Sequence, residues 1–289
     1  MPELPEVETV KRGLEGLIVG KKVGSVDYDW PKGFPNSADD IKSFLIGSKV
    51  TAVRRRAKVL IIDLDSKYSL VIHLKMTGQL VFRSDDFQFG AGHPNDSLIG
   101  KLPDKSTRVI LKFSDHSTLF FNDQRKFGWM RLLPTVEIPN IDFFKKVGPE
   151  PLEHSFTSKQ FMPRVRRRAK SSIKAVILDQ TVLAGVGNIY ADESLWMSKI
   201  HPATKAGDVS DAKLKLLLQS IKEVLRLSID KGGSTDKNYV DAEGRRGSYL
   251  EFANVFRREG QACPRCASEI IKIKVATRGT HVCPKCQRV

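Results

Sequence analysis

The stretch Lys58-Val59-Leu60-Ile61-Ile62-Asp63-Leu64, followed by Asp65-Ser66-Lys67 and then Leu70-Val71-Ile72-His73-Leu74, decides how the first half of the chain is read. Two short apolar runs rich in Val, Ile and Leu flank a polar turn, which is the pattern of a β-hairpin. The same grammar recurs at Arg108 to Phe113, Ser114-Asp115-His116 and Thr118 to Phe121. Residues 15–135 therefore read as short strands between turns, a β-sandwich or a related all-β layer structure. Phe87 to Gly100 is polar and Gly-rich and reads as a loop.

Upstream, Glu6 to Leu17 has helical spacing, with Val7, Val10 and Leu14 on one face and Gly13 and Gly16 weakening it. Such a helix would hold the N-terminus against the sheet. Ahead of it stands Met1-Pro2-Glu3-Leu4-Pro5-Glu6. Removal of Met1 would turn Pro2 into a free secondary amine able to attack a sugar or carbonyl carbon and form an iminium ion. An α-amino group has a reference pKa near ~8 rather than the ~10.4 of lysine, so far more of it is neutral at pH 7. Glu3, one residue on, could serve as acid and base for that chemistry. The plainer reading is that Pro2, Pro5 and the acids Glu3, Glu6 and Glu8 simply begin a helix. This stretch alone leaves both open.

Downstream, Pro134, Pro139, Pro149 and Pro151 punctuate a stretch without strong periodicity, which suits a linker over residues 135–152. Helices follow. One is expected over Phe161 to Lys170, with Pro163 in its first turn or kinking it. Others run from Ser171 or Ser172 to Asp179, from Ile189 to Lys199 with Asn188 as N-cap, and from Asp211 to Asp230 between Ser210 and Gly232-Gly233. Gly185-Val186-Gly187-Asn188 places a glycine-rich turn at a helix start, either a phosphate site or a plain connection.

All four cysteines fall in Cys263-Pro-Arg-Cys266 and Cys283-Pro-Lys-Cys286, a C-x2-C-x16-C-x2-C pattern. Paired knuckles at this spacing supply four sulfurs to one structural zinc ion. Two disulfides are the alternative, disfavoured in the cytosolic setting expected of the chain. Between the knuckles Glu269 to Val275 alternates Ile and Lys like a strand, and Thr277-Arg278-Gly279-Thr280 reads as a turn with Arg278 at the tip of a hairpin, placed to meet a phosphate.

The 289 residues leave room for two domains, and 40% hydrophobic content is ordinary for a soluble protein. No apolar run approaches the ~20 residues of a membrane span, and the acidic start is unlike a signal peptide. A cytoplasmic protein with no membrane partner is expected. The net charge of +15 favours a polyanionic partner, nucleic acid first.

Taken in order, several motifs resemble the formamidopyrimidine-DNA glycosylase family. They are Pro2-Glu3-Leu4-Pro5-Glu6-Val7-Glu8-Thr9, Arg55-Arg56-Ala57-Lys58, His73-Leu74-Lys75-Met76-Thr77-Gly78, Asp123-Gln124-Arg125-Lys126-Phe127-Gly128, Gly185 to Ala191 and the cysteine knuckles. The resemblance spans nearly the whole chain. It implies an α+β protein with an N-terminal β-sandwich lobe over residues 1–134, a helix-two-turn-helix lobe over 153–250 and a zinc finger over 251–289. It also implies a monomeric, nucleoid-associated enzyme that grips damaged double-stranded DNA in a basic cleft and removes oxidised purines such as 8-oxoguanine and formamidopyrimidines, then cuts the abasic strand.

By the same resemblance Pro2 is the nucleophile, Glu3 the general acid and base, Glu6 a support of the site, and Lys58 a phosphate contact that assists elimination. Met76, Arg125 and Phe127 fill the space left by a flipped nucleotide. Read singly, Met76 and Phe127 look more like core residues on strands and Arg125 more like a surface charge. Asn188 and Arg278 contact phosphates, and Lys237 lies in a mobile loop of about residues 232–249 that recognises damage. Lys75, Gln124 and Pro163 depart from the family pattern. Two other readings remain: an endonuclease VIII-like enzyme for oxidised pyrimidines, against which Leu4 speaks, and a non-catalytic DNA-binding zinc protein, against which Pro2, Glu3 and Lys58 speak.

Overall fold

The computed structural model describes residues 2–93, 95–234 and 249–288. The chain divides into two units, Met1–Lys145 with Lys231–Ser248, and Lys146–Asp230 with Tyr249–Val289. The α+β expectation holds, with a two-sheet lobe first and helices with a small hairpin after it.

In the first unit the strands are β1 (Val23–Tyr28), β2 (Val50–Arg56), β3 (Val59–Leu64), β4 (Tyr68–His73), β5 (Gly78–Arg83), β6 (Gln88–Gly92), β7 (Thr107–Phe113), β8 (Thr118–Asp123) and β9 (Trp129–Pro134). They form a five-stranded sheet in the order β1-β7-β8-β5-β6 and a four-stranded sheet β2-β3-β4-β9. Every neighbouring pair is antiparallel. One face of each sheet contributes to a common core, with Leu60, Ile62, Leu70 and Ile72 from one and Leu80, Phe82, Leu111 and Phe121 from the other. The alternation explains why: residues two apart on a strand share a face. The hairpins close at Lys67 and His116, both with positive φ (66° and 68°).

The helix Leu4–Ile18 lays Val7, Val10, Leu14 and Ile18 on that same core. Gly13 is required here, since an added Cβ would sit 2.2 Å from the Phe89 ring. The outer face of β3 and β4 is covered by Ile138, Phe143 and Phe144. These come from the proline-punctuated stretch, which carries a 3-10 turn at Thr135–Asn140 and a short helix Asp142–Lys146.

The loop expected over Phe87 to Gly100 is instead strand β6 followed by a 3-10 turn, Asp96–Leu98. Glycine hides this strand from a sequence reading because it weakens strands in general. Here the glycines are needed for close approach. A Cβ on Gly92, at φ +127°, would lie 2.5 Å from the Gly78 carbonyl oxygen on β5.

The second unit contains helices Ser158–Arg166, Ile173–Leu178, Asn188–Met197 and Asp211–Asp230. The first begins three residues before the expected Phe161, with Thr157 and Gln160 forming a capping box, so Pro163 lies inside it. The N-cap of the third is Gly187, not Asn188; Asn188 is its first helical residue. Ser172 caps the second, accepting from Ala175 N at 3.3 Å. Strands β10 (Ile271–Val275) and β11 (Arg278–Val282) pair as a hairpin. Its turn is only Ala276-Thr277, with φ of 50° and 64°, the signature of a two-residue turn with both central residues left-handed. Arg278 is therefore the first strand residue beyond the turn, opposite Val275, and not part of the turn itself. No helix among the described residues is long and apolar enough to cross a membrane.

Candidate active site and nucleic-acid interface

Leu4–Ile18 begins with a box of two carboxylates. Glu3 is its N-cap, in extended conformation, and Glu6 occupies the third helical position. Glu3 N donates to Glu6 Oε2 at 2.8 Å, and the Glu3 side chain accepts from the Glu6 backbone in return. Acids here satisfy helix-end N–H groups and face the positive end of the helix dipole. The other oxygen of Glu6 accepts from Ser234 N at 2.8 Å. That approach requires Gly233, at φ +89°, where an added Cβ would lie 3.3 Å from Glu6 Oε1. Pro2 is buried, and Glu3 and Glu6 are only 3% and 7% exposed. A chain start held this way is a built feature, since termini ordinarily fray.

Lys58 is also buried and follows Ala57, at φ 53°, in the tight turn from β2 to β3. Arg55 fastens this turn to the helix, donating to Glu8 Oε2 at 2.9 Å and to the Ala57 carbonyl at 2.8 Å. Burial on its own would raise the Glu8 carboxyl; the bond and charge of Arg55, with Arg12 behind it, hold it below its ordinary value. His73 pairs with Val59, the residue after Lys58. Burial first, then the charges of Lys75 and Lys58, push its pKa down to about 3. It is thus a neutral imidazole, and because its Nδ1 accepts from Lys75 N at 3.0 Å, its proton is on Nε2.

Met76 occupies the turn before β5, and Arg125 and Phe127 the turn after β8. Met76 is 37% exposed and Phe127 54%, so neither is a core residue. The Arg125 guanidinium carbon lies 4.8 Å from the centre of the Phe127 ring. β5 and β8 are neighbours, with Gly78 opposite Asp123, so the two turns leave the same end of one sheet.

In the second unit, Asn188 Nδ2 donates to the Gly279 carbonyl at 3.0 Å, joining the start of the helix Asn188–Met197 to the residue after Arg278. Gln180 shapes the turn before it, accepting from Gly185 N at 2.9 Å and donating to the Val186 carbonyl at 2.8 Å. Beneath lies a fully buried ion pair, Lys174 Nζ to Asp192 Oδ1 at 2.6 Å. Lys174 also donates to Thr280 Oγ1 at 2.7 Å, and Asp192 Oδ2 accepts from His281 N at 2.9 Å. Two helices are thereby locked to the strand that starts with Arg278. Arg55, His73, Asp123, Lys174 and Asp192 are given no role by the sequence alone; Arg55, His73 and Asp123 lie inside recognisable motifs, whereas Lys174 and Asp192 carry no such signal.

The sulfur atoms of Cys263, Cys266, Cys283 and Cys286 all lie within 4.8 Å of one another. Cys263 to Cys286 is 4.0 Å and Cys266 to Cys283 3.5 Å. A tetrahedral zinc with bonds of about 2.3 Å sets sulfurs about 3.8 Å apart, so the donor set fits. Burial and the neighbouring sulfurs push the Cys286 thiol up, while the backbone N–H of Ser268 holds Cys266 down, and four thiolates this close coexist only around a dication. Trp196 Nε1 donates to Cys263 Sγ at 3.4 Å, seating the knuckle on the helix Asn188–Met197. Four sulfurs leave no open position on the ion, so its contribution is structural. Lys237 and most of the segment expected to recognise damage lie outside the described residues.

Family models match three consecutive parts of the chain: the formamidopyrimidine-DNA glycosylase N-terminal domain over residues 1–130, its H2TH domain over 147–239, and a zinc finger found in FPG and IleRS over 260–289. The chain is 41% identical over 287 residues to the formamidopyrimidine-DNA glycosylase of Pediococcus pentosaceus, covering 99% of each chain. It is 40% identical to that of Latilactobacillus sakei, covering 99% of this chain and 98% of that one. Among solved structures, a Lactococcus lactis FPG mutant bound to Fapy-dG DNA superposes with a TM-score of 0.88 at 36% identity over the full length of both chains. A MutM complex with carbocyclic 8-oxo-G DNA gives 0.86, also at 36% identity and full coverage. With every part of the chain matched in order, it belongs to the formamidopyrimidine-DNA glycosylase family.

Proposed function

We propose that the chain excises oxidised purines, 8-oxoguanine and formamidopyrimidines, from duplex DNA and then cleaves the strand by β,δ-elimination. The observation that carries this reading is the buried helix start, where Pro2 immediately precedes the carboxylate box of Glu3 and Glu6. Once Met1 is removed, the Pro2 nitrogen carries a lone pair and attacks C1′ of the flipped nucleotide. The glycosidic bond breaks and the base leaves as an anion that takes a proton from water. In ring opening Glu3 takes the proton shed by the Pro2 ammonium and passes it to the sugar oxygen, which leaves C1′ and gives an iminium ion between Pro2 and C1′. The iminium acidifies the C2′ proton; its removal expels the 3′-phosphate, and a second elimination expels the 5′-phosphate.

Glu6 anchors the helix start to Ser234. Lys58 meets the phosphate of the reacting nucleotide and assists elimination. Met76 and Phe127, exposed and apolar, take the place of the lost stacking, while Arg125 meets acceptors on the orphaned cytosine. Asn188 and Arg278 are assigned to phosphates, and Lys237 to the damage-recognition segment. In this reading residues 1–134 form the catalytic domain, 135–152 a linker, 153–250 the helix-two-turn-helix domain and 251–289 the zinc finger, in a monomer associated with the nucleoid.

The test is borohydride trapping on 8-oxoguanine and abasic duplexes, with the mass of the protein measured first. The form lacking Met1 should give a reduced adduct that maps to Pro2, and the form retaining Met1 should give none, because acylation removes the nitrogen lone pair. Normal trapping by the Met1 form would move the nucleophile to a lysine, Lys58 first. Faster release of thymine glycol than of 8-oxoguanine would favour the oxidised-pyrimidine reading instead.

A further inference from the structure

We infer that Asp123 is a positioning residue that locks the Met76 turn to the Arg125–Phe127 turn, so that the groups assigned to the vacated space move as one body. The inference rests on the reading of those groups given above. Asp123 ends β8 and is 1% exposed, directly beneath four consecutive exposed residues, Gln124 to Phe127. Its Oδ2 accepts from Gly128 N at 2.6 Å, closing the β8–β9 turn. Its Oδ1 accepts from Arg125 N at 3.2 Å and from the hydroxyl of Thr77, the residue after Met76. Thr77 Oγ1 in turn accepts from Arg125 N at 3.1 Å. The backbone of Asp123 is itself fixed: its N donates to the Ser106 carbonyl at 2.7 Å, and its carbonyl accepts from buried Arg108 Nε at 3.0 Å.

Local turn closure would need only the bonds to Arg125 N and Gly128 N. The bond to Thr77 does something else, because it crosses between turns that are 46 residues apart in sequence. Glycine keeps both turns tight around it. A Cβ on Gly128 would lie 3.1 Å from Asp123 Oδ2, and one on Gly78 would lie 2.3 Å from the Leu74 carbonyl oxygen. Large side chains on short exposed turns lose much freedom when they enter a duplex, and a buried tether lowers that cost in advance. Register between wedge and base reader is thus set by one carboxylate and one hydroxyl, neither of which reaches the surface.

Thr77→Val isolates this coupling, since it keeps side-chain shape and leaves both bonds from Asp123 to its own turn. Asp123→Asn is the companion variant, placing an amide N–H₂ where backbone and hydroxyl donors converge. Each full-length processed protein is assayed on a single-stranded oligonucleotide with an abasic site, which offers no stack to fill, and in single turnover on duplexes with 8-oxoguanine opposite cytosine and opposite adenine. Thr77→Val should cut the abasic single strand at the wild-type rate, lose about tenfold on the cytosine duplex, as sub-ångström misplacement does, and discriminate less between cytosine and adenine. Asp123→Asn should show the same pattern with a larger loss. Wild-type behaviour of Thr77→Val on all three substrates, or an equal loss on all three, overturns the inference. Wild-type protein that cuts none of them overturns the functional reading beneath it.

Discussion

Replacing Lys174 by Met tests the buried pair under the Asn188–Arg278 surface. Both Lys174 and Asp192 are fully buried, and the ammonium bonds to Asp192 Oδ1, Thr280 Oγ1 and, more loosely at 3.3 Å, the Gly279 carbonyl. Met has similar length and volume, so little cavity forms; what is lost is the charge partner of Asp192. Leaving one member of a buried pair uncompensated costs about 3–5 kcal/mol. Domain stabilities are about 5–15 kcal/mol, so the second unit should lose roughly a fifth or more of its stability. Its melting transition should fall by roughly 10 °C or more. Asp192 Oδ2 keeps its bond from His281 N at 2.9 Å, which limits the damage below complete unfolding. In the double variant Lys174→Met/Asp192→Leu the orphaned carboxylate is gone, and the melting point should recover in part. Recovery stays incomplete because His281 N then lacks its acceptor, at about 1–3 kcal/mol. Scanning calorimetry of the three variants, with zinc held constant, reads these shifts. A single variant that melts with wild type, or a double variant that melts lower than the single one, would refute the assignment of stability to this pair.

Other outcomes follow from the same geometry. Cys283→Ser removes a fully buried sulfur from the tetrathiolate and should release zinc and abolish DNA binding while the first unit stays folded; full metal retention by mass spectrometry contradicts the site. Arg278→Ala should weaken binding to damaged and intact duplexes alike and flatten the salt dependence, whereas a loss confined to damaged DNA would assign Arg278 to the base. Glu3→Gln should slow base excision by roughly a hundredfold while sparing abasic cleavage, and equal loss of both would remove its role at the glycosidic step. His73 has its pKa depressed from an ordinary 6.5 to about 3, so below pH 6.5 the unfolded chain takes up a proton that the folded chain refuses. Stability of the first unit should therefore fall as pH drops from about 6.5 towards 3, and His73→Asn should reduce that slope in denaturant titrations.

The sequence by itself determined the pieces whose physics is local. Cysteine knuckles at fixed spacing specify a tetrahedral sulfur cage, and the sulfurs of Cys263, Cys266, Cys283 and Cys286 do converge. The helix Asp211–Asp230 was legible from end to end, because its apolar residues recur at the helical period between Ser210 and two glycines. Long apolar runs gave β3, β4, β7 and β8. Strand β6 was not legible, since Gly90, Ala91 and Gly92 disfavour a strand and Phe89 alone favours one, and the segment pairs because β5 offers it a ladder. Asn188 looks like a cap, yet Gly187 holds that position, and the Asn188 amide bonds to Gly279, 91 residues away.

Only the tertiary structure decided what the polar residues do. Glu6 meets Ser234 across 228 residues, Lys174 meets Thr280 across 106, and Asp123 meets Thr77 across 46. None of these partners can be read in the sequence, because hydrophobic periodicity records which face is buried but carries no record of partners. A buried polar group must find its hydrogen bonds wherever the folded backbone brings them, and that pairing exists only once the sheets and helices have closed.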